Sequence, residues 1–331
     1  MAAIFYPLQR HRRNLLGFVV LCPLLIALGV FLGDGWREPW TLLQAEREGI
    51  LQIRIWRVAL GALAGASLAV SGAILQTVLR NPLAEPYVLG LSSGAGLGTA
   101  ACIALGGLAL STALLPLSGF AVAIVSLLIV YQLARTASGT TPHTLILAGV
   151  VWGSITHSVL MFLVSQSSAE GLQAIMWWLL GDLQVYDAGL VHLVAWVNLL
   201  AILALAANAR ALNAMLLGDE AAGHVGIHPE RTKALVLSLA TVLAAATVSV
   251  SGIISFVGLI APHAARALVG SDHRRLIPAA ALGGAAFLVW TDGIGRTLLF
   301  PIEIPVGVLT ALVGGPFFLM LLRKRQREIW S

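Results

Sequence analysis

Ten apolar runs divide this chain, each about as long as a bilayer is thick. They fall near residues 15–33, 57–79, 87–110, 113–134, 144–164, 188–207, 234–250, 253–269, 276–295 and 305–322. A helix needs about 20 apolar residues to cross a hydrocarbon core of roughly 30 Å. Backbone polar groups in lipid must find partners within their own segment, so each run is predicted to be a helix. The chain is expected to be an all-α polytopic membrane protein, one transmembrane domain over residues 1–331. Only 11% of the residues are charged and 58% are hydrophobic, about half the charge a soluble domain carries. The first run does not read as a cleaved signal peptide, because Pro23 interrupts it and no small-x-small site follows.

The direction of the bundle follows from its basic residues. With both termini in the cytoplasm, 15 of the 20 Lys and Arg fall on the inner side. The outer side keeps Arg37, Arg47, Arg54, Arg57 and Arg296. The opposite orientation inverts the positive-inside bias. The sequence pI of about 9.8 is thereby assigned to membrane flanks, and no nucleic-acid partner is expected.

Two segments are too polar to span. Residues 34–53 carry Trp36, Trp40 and mixed charge, as an interfacial segment on the outer side does. Residues 208–233 form the longest cytoplasmic connection, with short apolar faces broken by Gly218, Gly226 and Pro229. Short helices lying across the inner face, available to a partner, are expected there. Small residues repeat every fourth position at Gly61 and Gly65, at Ser67 and Ser71, and at Gly90, Gly94 and Gly98. Such stripes read as close helix packing.

Several chemistries are excluded. The only two lysines are Lys233 and Lys324, and neither follows a glycine, so no phosphate loop of the Gly-Lys-Ser/Thr kind exists. ATP, if used, and its Mg must be held by another chain. Neither a zinc-protease motif nor a nucleophile elbow occurs, and Cys22 and Cys102 lie apart within apolar runs. No catalytic residue, metal site or cofactor is expected. Asp292 and Glu303 fall near the outer boundary, and no mid-span carboxylate stands out. This weighs against the rival class, an ion-coupled secondary transporter or channel, which needs an ion site at broken helices. His157, His192 and His263 read as neutral rings between helices; His157 and His192 are the two able to approach a pore. Pro262-His263 reads as a helix distortion at the inner end of its span. Arg54 and Arg57 lie one turn apart on one helix face, and Arg296 stands at another outer helix end. Interfacial snorkelling and docking of an acidic partner both fit these three.

Longer motifs point to a family. The run Arg54-Ile-Trp-Arg57 is followed by LAVSGAILQTVLRNPLAEPYVLGLSSGAG (68–96), LGDEAAGHVGI (217–227), SGIISFVGLIAPHAARALVGSDHRRLIP (251–278), Asp292-x-x-x-Arg296 and PIEIPVGVLTALVGGPFFLMLL (301–322). In this order they resemble the FecCD-type permeases, the membrane subunits of type II ABC importers for iron-siderophores, haem and vitamin B12. The resemblance runs from about residue 54 to the C-terminus. It implies the type II ABC importer fold in a bacterial inner membrane, a homodimer around a central path, two cytoplasmic ATPase subunits and a periplasmic binding protein. Under it, Leu217, Gly218, Asp219, Glu220 and Gly226 occupy the ATPase-coupling loop. Arg54, Arg57 and Arg296 inherit docking of the binding protein. Asn81 inherits a place at the cytoplasmic gate, with the Thr141-Pro142-His143 run before the fifth span beside it. Trp56 departs from the proline many relatives carry between the two arginines.

Overall fold

A computed structural model describes residues 17–33, 48–106, 111, 113–136, 139–185 and 187–330. Its helices are α1 (Gly17–Phe31), α2 (Glu48–Val78), α3 (Leu91–Ala104), α4 (Leu114–Ala134), α5 (Pro142–Gln166), α6 (Ala169–Leu180) and α7 (Ala188–Ala207). After them come α8 (Ala209–Met215), α9 (Asp219–His224), α10 (Pro229–Ser251), α11 (Val257–Val269), α12 (His273–Leu298) and α13 (Val306–Trp330). A two-residue hairpin, β1 (Arg135–Thr136) with β2 (Gly139–Thr140), joins α4 to α5. Six helices, α2, α4, α5, α7, α10 and α12, are long and apolar enough to span a bilayer. Four shorter apolar helices, α1, α3, α11 and the Val306–Met320 part of α13, complete the ten that the sequence predicts.

Two expected spans are shorter than their apolar runs. The run at 87–110 becomes a 3-10 turn at Pro86–Leu89, a left-handed Gly90 and then the 14-residue α3. The run at 253–269 opens with a non-helical stretch, so α11 has only 13 residues. At 1.5 Å per residue these helices reach about 20 Å, short of the core thickness. Irregular backbone at such depth survives only where protein satisfies its polar groups, and here it does. The Tyr87 hydroxyl donates to Ile254 O (2.7 Å) and accepts from Ile254 N (3.0 Å). Ile253 N donates to Trp178 O and Asp182 N to Ser251 O. Pro262 lies in the middle of α11 and is buried there, not at the inner end of the span as the sequence suggested. The amphipathic α6 was not anticipated. Of the 34–53 segment, residues 34–47 lie outside the described residues. Residues 48–53 form the first turns of α2.

The bundle has an inner and an outer layer. Within their apolar windows, α2, α10 and α12 are 78%, 67% and 61% buried, whereas α4, α5 and α7 are only 28%, 22% and 28% buried. The first three form a core; the others turn most of their surface away from it. Small residues decide how close that core packs. A Cβ on Gly65 would overlap the Gly284 carbonyl, and one on Gly72 would overlap the Gly258 carbonyl. Of the predicted stripes, Gly65 thus marks a backbone-to-backbone contact of α2 with α12 and Gly98 one of α3 with α4, while Gly72, outside them, does the same for α2 with α11.

Candidate functional site

At the end of the bundle that the sequence assigns to the outer side, packing builds an ion-pair cluster. Helices α2 and α12 run antiparallel, with Gly65 against Gly284 and Gly61 against Val289. One turn further out the same register sets Arg57 opposite Asp292. Arg57 forks onto that carboxylate, Nη2 to Oδ1 at 2.9 Å and Nε to Oδ2 at 3.1 Å. Its Nη1 donates to Glu303 Oε2 at 2.8 Å. Arg296, one turn beyond Asp292 on α12, brings Nε to 3.0 Å from Oδ2. That distance makes an ion pair although the angle is poor for a hydrogen bond, and Arg296 Nη2 has no hydrogen-bond partner among the described residues. Arg54 and Arg296 are each 6% exposed, and Arg57 is 13% exposed in its side chain. The three predicted outer arginines are thus gathered into one place, as buried or half-buried members of a cluster rather than free rim charges. The Trp56 ring meets His192 edge-on at 5.1 Å. Beside the cluster lies a cavity of about 440 Å³, lined in part by Trp177, Trp178, Asp182, Gln184 and Asp187.

At the opposite end of the bundle, the 208–233 segment folds as expected into short helices, α8 and α9, before α10 begins at Pro229. Leu217 is 80% exposed and Val225 68%, and Glu220 is exposed as well. Gly218 has φ +115° and ψ 159°, and nothing lies within 4 Å of where its Cβ would be. Its requirement is therefore a backbone angle that only glycine tolerates, not a close approach. Gly226, with φ +81°, closes the turn after α9.

Asp219, the first residue of α9, faces inward as well. Its Oδ1 accepts from Arg80 Nη2 at 2.5 Å and its Oδ2 from Lys233 Nζ at 2.6 Å. Lys233 is 3% exposed. It spends its other two protons on Thr140 O (3.1 Å) and Glu230 Oε1 (3.0 Å). Glu230 Oε2 in turn accepts from the Thr140 hydroxyl and amide at 2.9 and 3.2 Å. The network ends beside both predicted gate segments. Arg80 precedes Asn81, whose Oδ1 accepts from Leu83 N at 3.0 Å. Thr140 precedes Thr141, which caps α5 through a reciprocal box with Thr144, with Pro142 in the first helical turn and His143 exposed.

A second link fixes α8. His273 places Nδ1 2.7 Å from Asn213 Oδ1 and Nε2 2.9 Å from the Thr77 hydroxyl. Asn213 Nδ2 donates to Asp272 Oδ1 at 2.7 Å, and Asp272 also caps α12 through Arg274 N at 3.1 Å. Burial pushes the Asp272 carboxyl up. The Asn213 amide, the Arg274 N–H and the Arg274 and Arg275 charges outweigh it and hold the group below the usual carboxylate range. Sequence reading missed Arg80, Lys233, Asn213, Asp272 and His273. One signal was available: Lys233 is one of two lysines and opens an apolar helix. It also missed Glu85, in the loop between α2 and α3, whose buried Oε1 has no hydrogen-bond partner among the described residues. Among those residues no group of three or more His, Cys, Asp or Glu could hold a metal.

Ten apolar helices, with an ion-pair cluster at one end of the bundle and short surface helices at the other, are the build of a multi-pass membrane permease. The chain belongs to the FecCD transport family, whose profile matches residues 20–324. The cobalamin import system permease protein of Halobacterium salinarum is 45% identical over 274 residues, which cover 83% of this chain and 73% of that protein. The hemin transport system permease protein of Yersinia pestis is 38% identical over 331 residues, 96% of this chain and 97% of that one. A solved structure in an inward-facing conformation, described as of the metal-chelate ABC transporter type, superposes with a TM-score of 0.84 at 30% identity. It covers 95% of this chain and 99% of that one.

Proposed function

We propose that this chain is the permease subunit of an ATP-driven ABC importer that moves a metal chelate inward across a bacterial inner membrane by alternating access. The relatives' cargoes, cobalamin and hemin, support the class, with iron-siderophores a third candidate. Two copies pair around the path. The under-buried α5, with Leu147, Val151, Ile155 and Phe162 exposed along one side, offers surface for such pairing. Arg54, Arg57 and Arg296 receive the acidic residues of a periplasmic binding protein. Leu217, Gly218, Asp219, Glu220 and Gly226 seat on two cytoplasmic ATPase subunits, and Asn81 with Thr141, Pro142 and His143 forms the inner gate.

The observation that carries this reading is the pair α8–α9. The turns that flank α9 expose Leu217 and Val225 to a partner, while Asp219 and Asn213 bind the two short helices to the bundle. A ligand can bias a two-state bundle only through contacts that differ between its states, and this segment is placed to make such contacts. The test is reconstitution in liposomes with the ATPase subunit and binding protein of the same importer. Uptake of cyanocobalamin, haem and a ferric siderophore is measured beside ATP hydrolysis. ATP-dependent accumulation of one of the three is expected. Uptake that persists without the ATPase subunit refutes the proposal.

A further inference from the structure

Resting on the coupling role proposed for residues 208–233, we infer that the Asp219 carboxylate is a forked linkage that drives two gate loops separately, Oδ1 through Arg80 and Oδ2 through Lys233. The two oxygens of one short side chain reach two loops that are far apart in sequence. Oδ1 holds Arg80, at the start of the 79–85 loop. Oδ2 holds Lys233, whose ammonium also grips the main-chain carbonyl of Thr140, in the loop leading into α5. Any displacement of α9 pulls both loops through one carboxylate. Arg80 and Lys233 are thereby positioning residues for transport, acting on the gates through the segments they hold.

The two arms differ physically. Lys233 is buried and all three of its N–H groups are used, on Asp219, Glu230 and Thr140. Its arm is short, ends on a buried ammonium and is anchored again by Glu230 to the Thr140 amide and hydroxyl. The Arg80 arm is solvated, with the two side chains 46% and 40% exposed. Exposed pairs of this kind add little stability and are screened by salt, so stability alone does not account for the contact. Arg80 is moreover one of two non-glycine described residues with positive φ, at 46°. This sparsely populated backbone conformation directs the side chain toward α9 at the end of α2.

The test uses the assembled importer and amide hydrogen exchange of the permease, with and without ATP bound to a hydrolysis-deficient ATPase subunit. In the parent complex, ATP is expected to change exchange in 219–224, 79–85 and 139–144 together. Lys233→Met should abolish the response of 139–144 while 79–85 keeps its own. Arg80→Gln should do the reverse, and Asp219→Asn should silence both while 219–224 still responds. A purely structural role for these residues gives no such crossed pattern. In Lys233→Met the carboxylates left behind, Asp219 and Glu230, are 40% and 49% exposed and hydrate, so the variant is expected to fold. Arg80→Gln touches only surface. Both loops responding as in the parent in Lys233→Met and Arg80→Gln overturns the fork, while the coupling role stands. A parent complex in which 219–224 ignores ATP overturns the coupling role and the fork with it.

Discussion

Replacing Asp292 by Asn removes the one charge that holds two guanidinium groups together where α2 and α12 meet at one end of the bundle. Asp292 is 4% exposed and lies between Arg57 and Arg296, both shielded from water. Asparagine keeps the shape and one acceptor oxygen, so the Arg57 fork drops from two bonds to a carboxylate to one bond to an uncharged amide oxygen. Breaking a buried pair by removing one partner costs about 3–5 kcal/mol. Glu303 remains on Arg57, and its 43% exposure lets water relieve part of the cost, which brings the expectation to about 2–4 kcal/mol. At roughly 2 °C per kcal/mol for a large domain, the midpoint of thermal unfolding in detergent should fall by about 4–8 °C. Tryptophan fluorescence at a fixed scan rate reads this directly. Arg57→Gln combined with Asp292→Asn should cost less than the two single changes added together, because the second no longer breaks an intact pair. An Asp292→Asn melt within 1 °C of the parent, or strict additivity in the double variant, would refute the cluster as a load on stability. It would favour arginines held for docking alone.

Further outcomes follow from other contacts. Gly72→Ala drives a methyl into the Gly258 carbonyl and should cost about 1–3 kcal/mol by overpacking, seen as a lowered melting midpoint; an unchanged midpoint would mean α2 and α11 can separate freely. Gly218→Val should cost about 1–3 kcal/mol locally through its φ of +115°, with faster amide exchange confined to 216–224 and the melt of the bundle unaltered. Asp272 has a lowered folded-state pKa, so its contribution is present above the unfolded carboxylate value of about 4 and is lost as pH falls through the folded value. Exchange of 209–215 should therefore rise below about pH 4, and Asp272→Asn should flatten that rise.

The chain's apolar runs by themselves determined that it crosses a membrane about ten times, because backbone in lipid has no other way to satisfy its hydrogen bonds. The Gly218 and Gly226 breaks likewise marked a segment of short helices, since the positive φ angles they adopt exclude a continued helix. Arg54, Arg57 and Arg296 were legible as an outer group from helical spacing and the excess of basic residues inside. What pairs with them was not, for Asp292 meets Arg57 only because Gly65 and Gly284 let α2 and α12 approach closely and fix their register. The breaks at 86–90 and 252–256 were hidden for a related reason. Both stretches are apolar, and they leave the helix only because Tyr87 and the Trp178 carbonyl supply their missing partners from elsewhere in the fold. Lys233 shows the limit most plainly. In sequence it is one basic residue near the start of a helix. Only the approach of Asp219 and Thr140 to the Glu230–Lys233 turn of α10 lets a buried ammonium keep its charge and tie the surface helices to the loop before α5.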